Sequence, residues 1–468
     1  MSGAADGSVA SRDAPRKSRY ERLKPGPGKS ASAVAEHQCA RLRAAMLALV
    51  ADRGYRAVTV RELAQTAGVS SRAFYEHYSS KEECFLAVHE SIARRIDRAI
   101  AAAREGEDDW KACLQLTVAA YLRELQSDLP AARLLLVDSY AAGEPALGHV
   151  RRAERTLELR LGECFKLAGA SVALPSVVTR GMSGGMTCVV RSRLIGEGVC
   201  DLADLSKGLT AWAGSVLDAT SNFSLPNHIR ADSDPNYRST RLDRRSSWPV
   251  TDERGLIVAA LAKLAVVEKY HEMTTRKVRI SAGASSRKFT SYFKGVDDCF
   301  KEAAELYIGT VAAELASHGE TADNKARDND PVDSVGSLCR RATCDPAFAT
   351  LCFADVFGPG LSGAQSLDRV IEELGVVLLG GPTDANINPL ALEASTAAIW
   401  AALREEILCG RSARSARTVA DLQIFVLSWI KGPKDRKRFA QQFDQRSPRR
   451  DARKMCESPG SEMAATTN

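Results

Sequence analysis

One stretch of this chain occurs twice. Residues 59–85 read TVRELAQTAGVSSRAFYEHYSSKEECF and residues 274–300 read TTRKVRISAGASSRKFTSYFKGVDDCF. The second follows the first at a constant offset of 215, without a gap, so that Gly68 falls on Gly283, Ser70 on Ser285, Phe74 on Phe289 and Phe85 on Phe300. A period this long is no solenoid repeat; it means two copies of a whole domain. The 468 residues then divide by composition. Residues 1–35 are polar and broken by Gly and Pro, and read as a disordered basic arm. Copy one spans 36–221. Residues 222–249 hold three Pro and few apolar residues, and read as a linker. Copy two spans 250–431, and 432–468, with KDRKR and RSPRRDARK, reads as a disordered basic tail.

Charge is placed more tellingly than its sum. The net charge is +6, yet residues 1–56 hold eleven Arg and Lys against five acids, and the tail is richer still in bases. Such segments attract phosphate without reading sequence. There is no run of about 18 apolar residues, and the N-terminus has no apolar core of a secretory leader. The twelve cysteines lack metal-site spacing and read as reduced core thiols. Together these predict a cytoplasmic chain that spans no membrane and needs no metal or cofactor.

Apolar residues recur at helical spacing: Leu42, Met46, Leu49 and Val50 in copy one, Ile257, Leu261, Leu264 and Ala265 at the same offset in copy two. Alternating β-branched runs are scarce, so the predicted fold class is all-α. Within the repeat, Thr59 and Glu62 form a capping box, Gly68 supplies a left-handed helix end, and Ser70 caps a second short helix, Ser71–His77, with Phe74 and Tyr78 inward. Two short helices joined by a Gly turn make a helix–turn–helix whose second helix presents small and polar residues. It spans about 38–85 in copy one and 253–300 in copy two.

This pattern resembles the DNA-binding head of the TetR family of bacterial transcriptional regulators. The residues that carry it are Gly54-Tyr55, Val58-Thr59-Val60, Leu63-Ala64, Ala67-Gly68-Val69-Ser70, Phe74-Tyr75, His77-Tyr78, Ser80-Lys81-Glu82 and Phe85. Copy two departs from it at Val296 for Lys81, Thr290 for Tyr75 and Arg279 for Ala64. The resemblance implies double-stranded DNA as partner. Ser70, Ser71, Arg72, Tyr75 and His77 would approach bases or phosphates, and Thr59, Arg61, Tyr78 and Lys81 phosphates. The counterparts in copy two are Thr274, Arg276, Ser285, Ser286, Arg287, Lys288, Thr290, Tyr292 and Lys294. It also implies a helical body that takes a small-molecule effector, with Trp110, Tyr121, Tyr140, Met182 and Met186 as apolar pocket candidates. The last two helices of each copy, about 176–196 with 202–220 and 389–409 with 416–430, would form a four-helix interface.

The expected function is therefore sequence-specific DNA binding by a transcriptional regulator, a repressor released by a small apolar effector, with no catalysis. The two copies would pair inside one chain as a pseudo-dimer, a homodimer of chains being the alternative. Two further readings compete. In one, copy two is a scaffold that only dimerises. In the other, Gly181-Met182-Ser183-Gly184-Gly185 fits the G-x-S-x-G string of a serine hydrolase, but that string needs a strand before it, and its surroundings here read as helix.

Overall fold

Helices build both copies. The computed structural model describes residues 30–142, 144–168, 176–196, 201–221, 252–317, 331–379, 388–410, 418–419, 421–423 and 425. Among them, copy one forms α1 Ala31–Arg53, α2 Val60–Ala67, α3 Ser71–His77, α4 Lys81–Ala103, α5 Trp110–Ser127, α6 Leu129–Leu136, α7 Glu144–Leu167, α8 Ser176–Ile195 and α9 Leu205–Ser221. Copy two forms α10 Glu253–Val267, α11 Thr275–Ala282, α12 Ser286–Tyr292, α13 Val296–Ser317, α14 Pro331–Cys344, α15 Pro346–Ala349, α16 Leu361–Leu379 and α17 Pro389–Leu408. No strand occurs among the described residues, and none of their helices is long and apolar enough to cross a membrane. The linker, the tail and most of the arm and of 416–430 lie outside the described residues. At the arm's end the sequence reading is corrected: Ala31 already starts α1, because the Ser30 hydroxyl accepts the Ala33 amide and Ala31, Ala33 and Ala35 favour helix.

Contacts divide the chain into two units. The first comprises residues up to Arg95 together with Asp128–Ala153. In it α6 packs on α1, and α1 closes over α2 and α3. Leu42, Met46 and Val50 from α1 are buried, as are Leu63, Phe74 and Phe85 from α2, α3 and α4. Polar residues are buried in this unit too, among them His89. His89 on α4 is 1 % exposed, and neither ring nitrogen meets a hydrogen-bond partner. His149 stands edge-on, 6.2 Å away. Burial first, then the nearby His149 and Arg152, push the His89 pKa down from 6.5 to about 4.

The second unit comprises Ile96–Ser127 and everything from Glu154 onward. Its most extensive contact is between α8 and α17, which run antiparallel. Here glycines meet alanines. A Cβ on Gly185 would lie 2.5 Å from the Ala394 carbonyl oxygen, and one on Gly184 would collide with the Ala401 Cβ. The G-x-S-x-G string thus serves backbone approach of two helices. Ser183 itself is buried inside α8 and donates its hydroxyl to the Glu154 carbonyl at 3.1 Å. Trp212 on α9 donates its indole N–H to the Ser395 hydroxyl at 2.8 Å and stands edge-on to Phe425. Within copy two, Trp400 stacks on Phe353 at 12° and donates to the Cys352 carbonyl.

Two measurements check this packing. G185A should destabilise the chain by about 1–3 kcal/mol through overpacking, whereas G214A, on α9 with nothing within 4 Å of its Cβ, should be neutral or stabilising by up to about 1 kcal/mol; calorimetric melting of both variants reads the difference. For His89 the sign follows from its depressed folded pKa. The folded state holds fewer protons than the unfolded state between about pH 6.5 and about pH 4, so its stabilisation is intact above that window. It should be lost progressively as pH falls through it, by about 2–3 kcal/mol in all. H89L should flatten that part of the stability–pH curve.

Candidate nucleic-acid interface

The head of copy one is a chain of local bonds. Thr59 Oγ1 accepts the Glu62 amide at 3.3 Å, while the Glu62 carboxylate accepts the Thr59 amide at 3.0 Å and its hydroxyl at 2.7 Å. Those Thr59 bonds, with Arg53 at 3.0 Å, hold the Glu62 pKa below the usual carboxylate range. At the far end of α2, Gly68 takes φ 63° and ψ 37°, the left-handed turn that brings α3 across α2. Ser70 then caps α3 by accepting the Ala73 amide at 3.0 Å.

Because α3 has only seven residues, its inward face is a single ring: Phe74, 0 % exposed, against Tyr78 at 5.9 Å. Its outward face carries Ser71, Arg72 and Tyr75, all exposed. Tyr75 is 59 % exposed and held edge-on by Phe74 at 5.3 Å, which orients it without burying it. Thr59, Arg61 and Ser70 are exposed beside them.

The remaining three candidates of copy one turn inward. His77 is half-buried, with Nε2 2.7 Å from Gln38 Oε1 on α1. Tyr78 is buried, and burial pushes its phenol up to about 12. Lys81 donates its ammonium to the carbonyls of Val58 at 2.8 Å and Tyr55 at 3.1 Å and lies 4.3 Å from the Tyr55 ring centre. Partial burial lowers the Lys81 pKa. Two residues that hold this geometry carry no local signature. Gln38 anchors His77, and Arg41, which in the sequence only adds to the basic surplus, is buried and donates to the Gly68 carbonyl at 2.9 Å. Both act across long sequence separations, so no spacing rule finds them.

Copy two repeats the frame. Thr274 and Ser285 cap α11 and α12, and Gly283 takes φ 64° and ψ 22°. Phe289 and Phe293 pack inward at 5.6 Å. Arg276, Ser286, Arg287, Lys288, Thr290, Tyr292 and Lys294 are all exposed. The supporting bonds differ. Lys277 replaces Glu62 and pairs with Glu268 at 3.0 Å, so no reciprocal box forms. Glu253, at the position of Gln38, holds Lys288 and raises its pKa. Tyr270 donates its hydroxyl to Asp297 and its amide to Asp355 Oδ2 at 3.1 Å. The Thr290 hydroxyl is returned to the Ser286 and Arg287 carbonyls.

Residues 42–88 match the family described as bacterial regulatory proteins, tetR family. That match places a TetR-type DNA-binding head at residues 42–88. A 105-residue segment is 31 % identical to the HTH-type transcriptional activator FasR of Mycolicibacterium smegmatis, covering 22 % of this chain and 47 % of that relative. The chain thus spans about half the length of the curated TetR-type relative it matches. Solved structures similar to it include the TetR-family regulator PfmR from Thermus thermophilus (18 % identity, 37 % of this chain and 96 % of that one, TM-score 0.31). FadR from Bacillus subtilis, crystallised with stearoyl-CoA, is another (18 %, 40 % and 99 %, 0.34).

Of the pocket candidates, Tyr121, Met182 and Met186 lie buried in the second unit, and Tyr121 is pushed up to about 12 by its burial. Trp110 is half-buried at the start of α5 with the Lys111 ammonium 5.3 Å from its ring. Tyr140 is buried in the first unit.

Lys81 provides the test of this TetR head. K81M should lower the stability of the chain by about 1–2 kcal/mol, the loss of two charge-assisted bonds at a partly exposed site. A melting curve without DNA reads this directly, and an unchanged transition contradicts the bonding described.

Proposed function

We propose that this chain regulates transcription by binding double-stranded DNA through two non-identical helix–turn–helix heads, one in each copy. The observation that carries the reading is the outward face of α3, where Ser71, Arg72 and Tyr75 stand on a short helix fixed from behind by Phe74. Small and polar groups on such a face can enter a major groove. Ser70 and Arg61 flank it where phosphates would lie, while Thr59, whose hydroxyl and amide are both donated to Glu62, serves by capping α2. His77, Tyr78 and Lys81 serve by holding α3 and α4 in place, because their polar atoms are already engaged or buried. In copy two Arg276, Arg287 and Lys294 supply the exposed positive charge. The copies pair within the chain, so the two half-sites differ and the operator is an imperfect palindrome or none.

The effector reading is a small apolar molecule taken by the body of copy one near Tyr121, Met182 and Met186, lowering DNA affinity by favouring a conformation that misfits the operator. Repression then follows from occupancy of a promoter. Activation is a second reading, favoured by the match to a relative named as an activator. A scaffold role for head two draws on Val267 and Ile280, 77 % and 64 % exposed, where head one has Asp52 and Gln65.

Selection of bound fragments from random DNA tests the central claim. Against the selected site, Y75A should cost about 1–3 kcal/mol of specific affinity and change nonspecific binding less. R287A should weaken all sequences alike and reduce the salt slope by about one unit. Unchanged affinity in Y75A removes the base-reading role, and an unchanged slope in R287A leaves head two as scaffold. A reporter gene behind the selected site reads the sign of regulation.

A further inference from the structure

Helices α8 and α17 are both 20 residues long and begin 213 positions apart, at Ser176 and Pro389. In that register Gly181 corresponds to Ala394, Gly185 to Ala398, and the buried Arg191 to the buried Arg404. The contacts are reciprocal in the same register. A Cβ on Gly181 would meet the Ala398 carbonyl oxygen at 2.9 Å, and one on Gly185 the Ala394 carbonyl oxygen at 2.5 Å. Arg191 and Arg404 approach one ring, Phe357, at 4.6 and 5.3 Å. A local pseudo-twofold axis therefore relates the two helices.

The charges break that symmetry in one direction. Arg180 corresponds to Glu393, and Arg193 to Glu406. Arg180 pairs with Glu406 at 3.3 Å, and Arg193 grips Glu393 with two bonds, 2.9 and 2.5 Å. All four side chains are at least two-thirds buried. An α8 facing a second α8 in this geometry sets Arg180 against Arg193 twice. An α17 facing a second α17 sets Glu393 against Glu406 twice. Glu158, 3.6 Å from Arg180, lies on the copy-one side and is repelled by Glu405 across the α8–α17 contact. It therefore takes back part of the discrimination against an α8 pair and has no part in an α17 pair. Size works in the same sense. In an α17 pair Ala398 would occupy the place of Gly185, where a Cβ collides with the Ala394 carbonyl, and an α8 pair would leave glycine facing glycine across a gap.

We propose that Arg180, Arg193, Glu393 and Glu406, with the glycines of α8 set against the alanines of α17, form a recognition code that admits copy one with copy two and rejects like with like. Specificity here is a difference between pairings, built from complementary charge in one and repulsion in the others. The code rests on the reading that the copies pair with each other, and it explains how a duplicated chain avoids exchanging copies with its neighbours.

Two charge rearrangements with the same net charge test it in the full chain, each made and compared in an E158Q background so that the Arg180–Glu158 pair does not enter the comparison. In R193E/E406R each helix carries one residue of each sign, so both contacts of the α8–α17 pair become repulsive and both like-with-like pairs become complementary. In R180E/R193E/E393R/E406R every ion pair of the α8–α17 contact is restored with its polarity reversed. The code predicts that the double variant melts several degrees below its E158Q parent or moves to twice the 50.5 kDa of one chain in light scattering. The fourfold variant should keep the parent's mass and melt above the double variant. A double variant that matches the parent in both readouts overturns the code, and so does a fourfold variant that melts no higher than the double or fails to fold alongside it. The mass of the wild type reports separately on pairing within the chain. A wild type at twice 50.5 kDa with the variant order intact removes intrachain pairing and leaves the code standing.

Discussion

The close approach of α8 and α17 is the constraint around which the second unit is arranged. Side chains usually hold helix axes apart, and here the glycines of α8 remove them, so that the alanines of α17 touch backbone. At that separation large groups are displaced to the rim and polar ones must find partners. Arg191 and Arg404 lie over the Phe357 ring, Trp212 reaches Ser395, and Ser183 turns back to the Glu154 carbonyl. A buried arginine is tolerated only with such company, because desolvating an uncompensated guanidinium costs on the order of several kcal/mol. The same approach brings Arg180 and Arg193 within reach of Glu406 and Glu393.

The heads follow a different logic. Each is a short-range assembly in which caps and a left-handed glycine set the angle between two helices, and one phenylalanine fixes the second helix from behind. What distinguishes them is the support beneath that frame. Head one uses a reciprocal capping box, Arg41 on the turn carbonyl and Lys81 on two further carbonyls. Head two has lost all three, with Lys277, Leu256 and Val296 at those positions, and uses Tyr270 between Asp297 and Asp355 instead. The two copies thus share a backbone plan while differing in which side chains are free to meet a partner, as the engagement of Lys288 by Glu253 illustrates.

The sequence by itself determined the helical class, the repeated head and the bounds of α2 and α3, because those depend on neighbours a few residues apart: Thr59 with Glu62, Gly68 at a helix end, Ser70 with Ala73. The resemblance to the TetR family was legible for the same reason. Tertiary structure alone decided which polar residues are available. Lys81 and His77 look like ligands in a linear motif, and the structure adds that the backbone of Tyr55 and Val58 and the amide of Gln38 hold them from partners 23 to 39 positions away. It also decided that the Gly181–Gly185 string packs helices. Glycine is compatible with a strained turn and with a close helix crossing alike, and the alanines that settle the matter stand more than 200 residues further along the chain. Local propensity is written in adjacent residues, whereas burial and charge pairing depend on what the fold brings alongside, and a spacing rule holds no record of that.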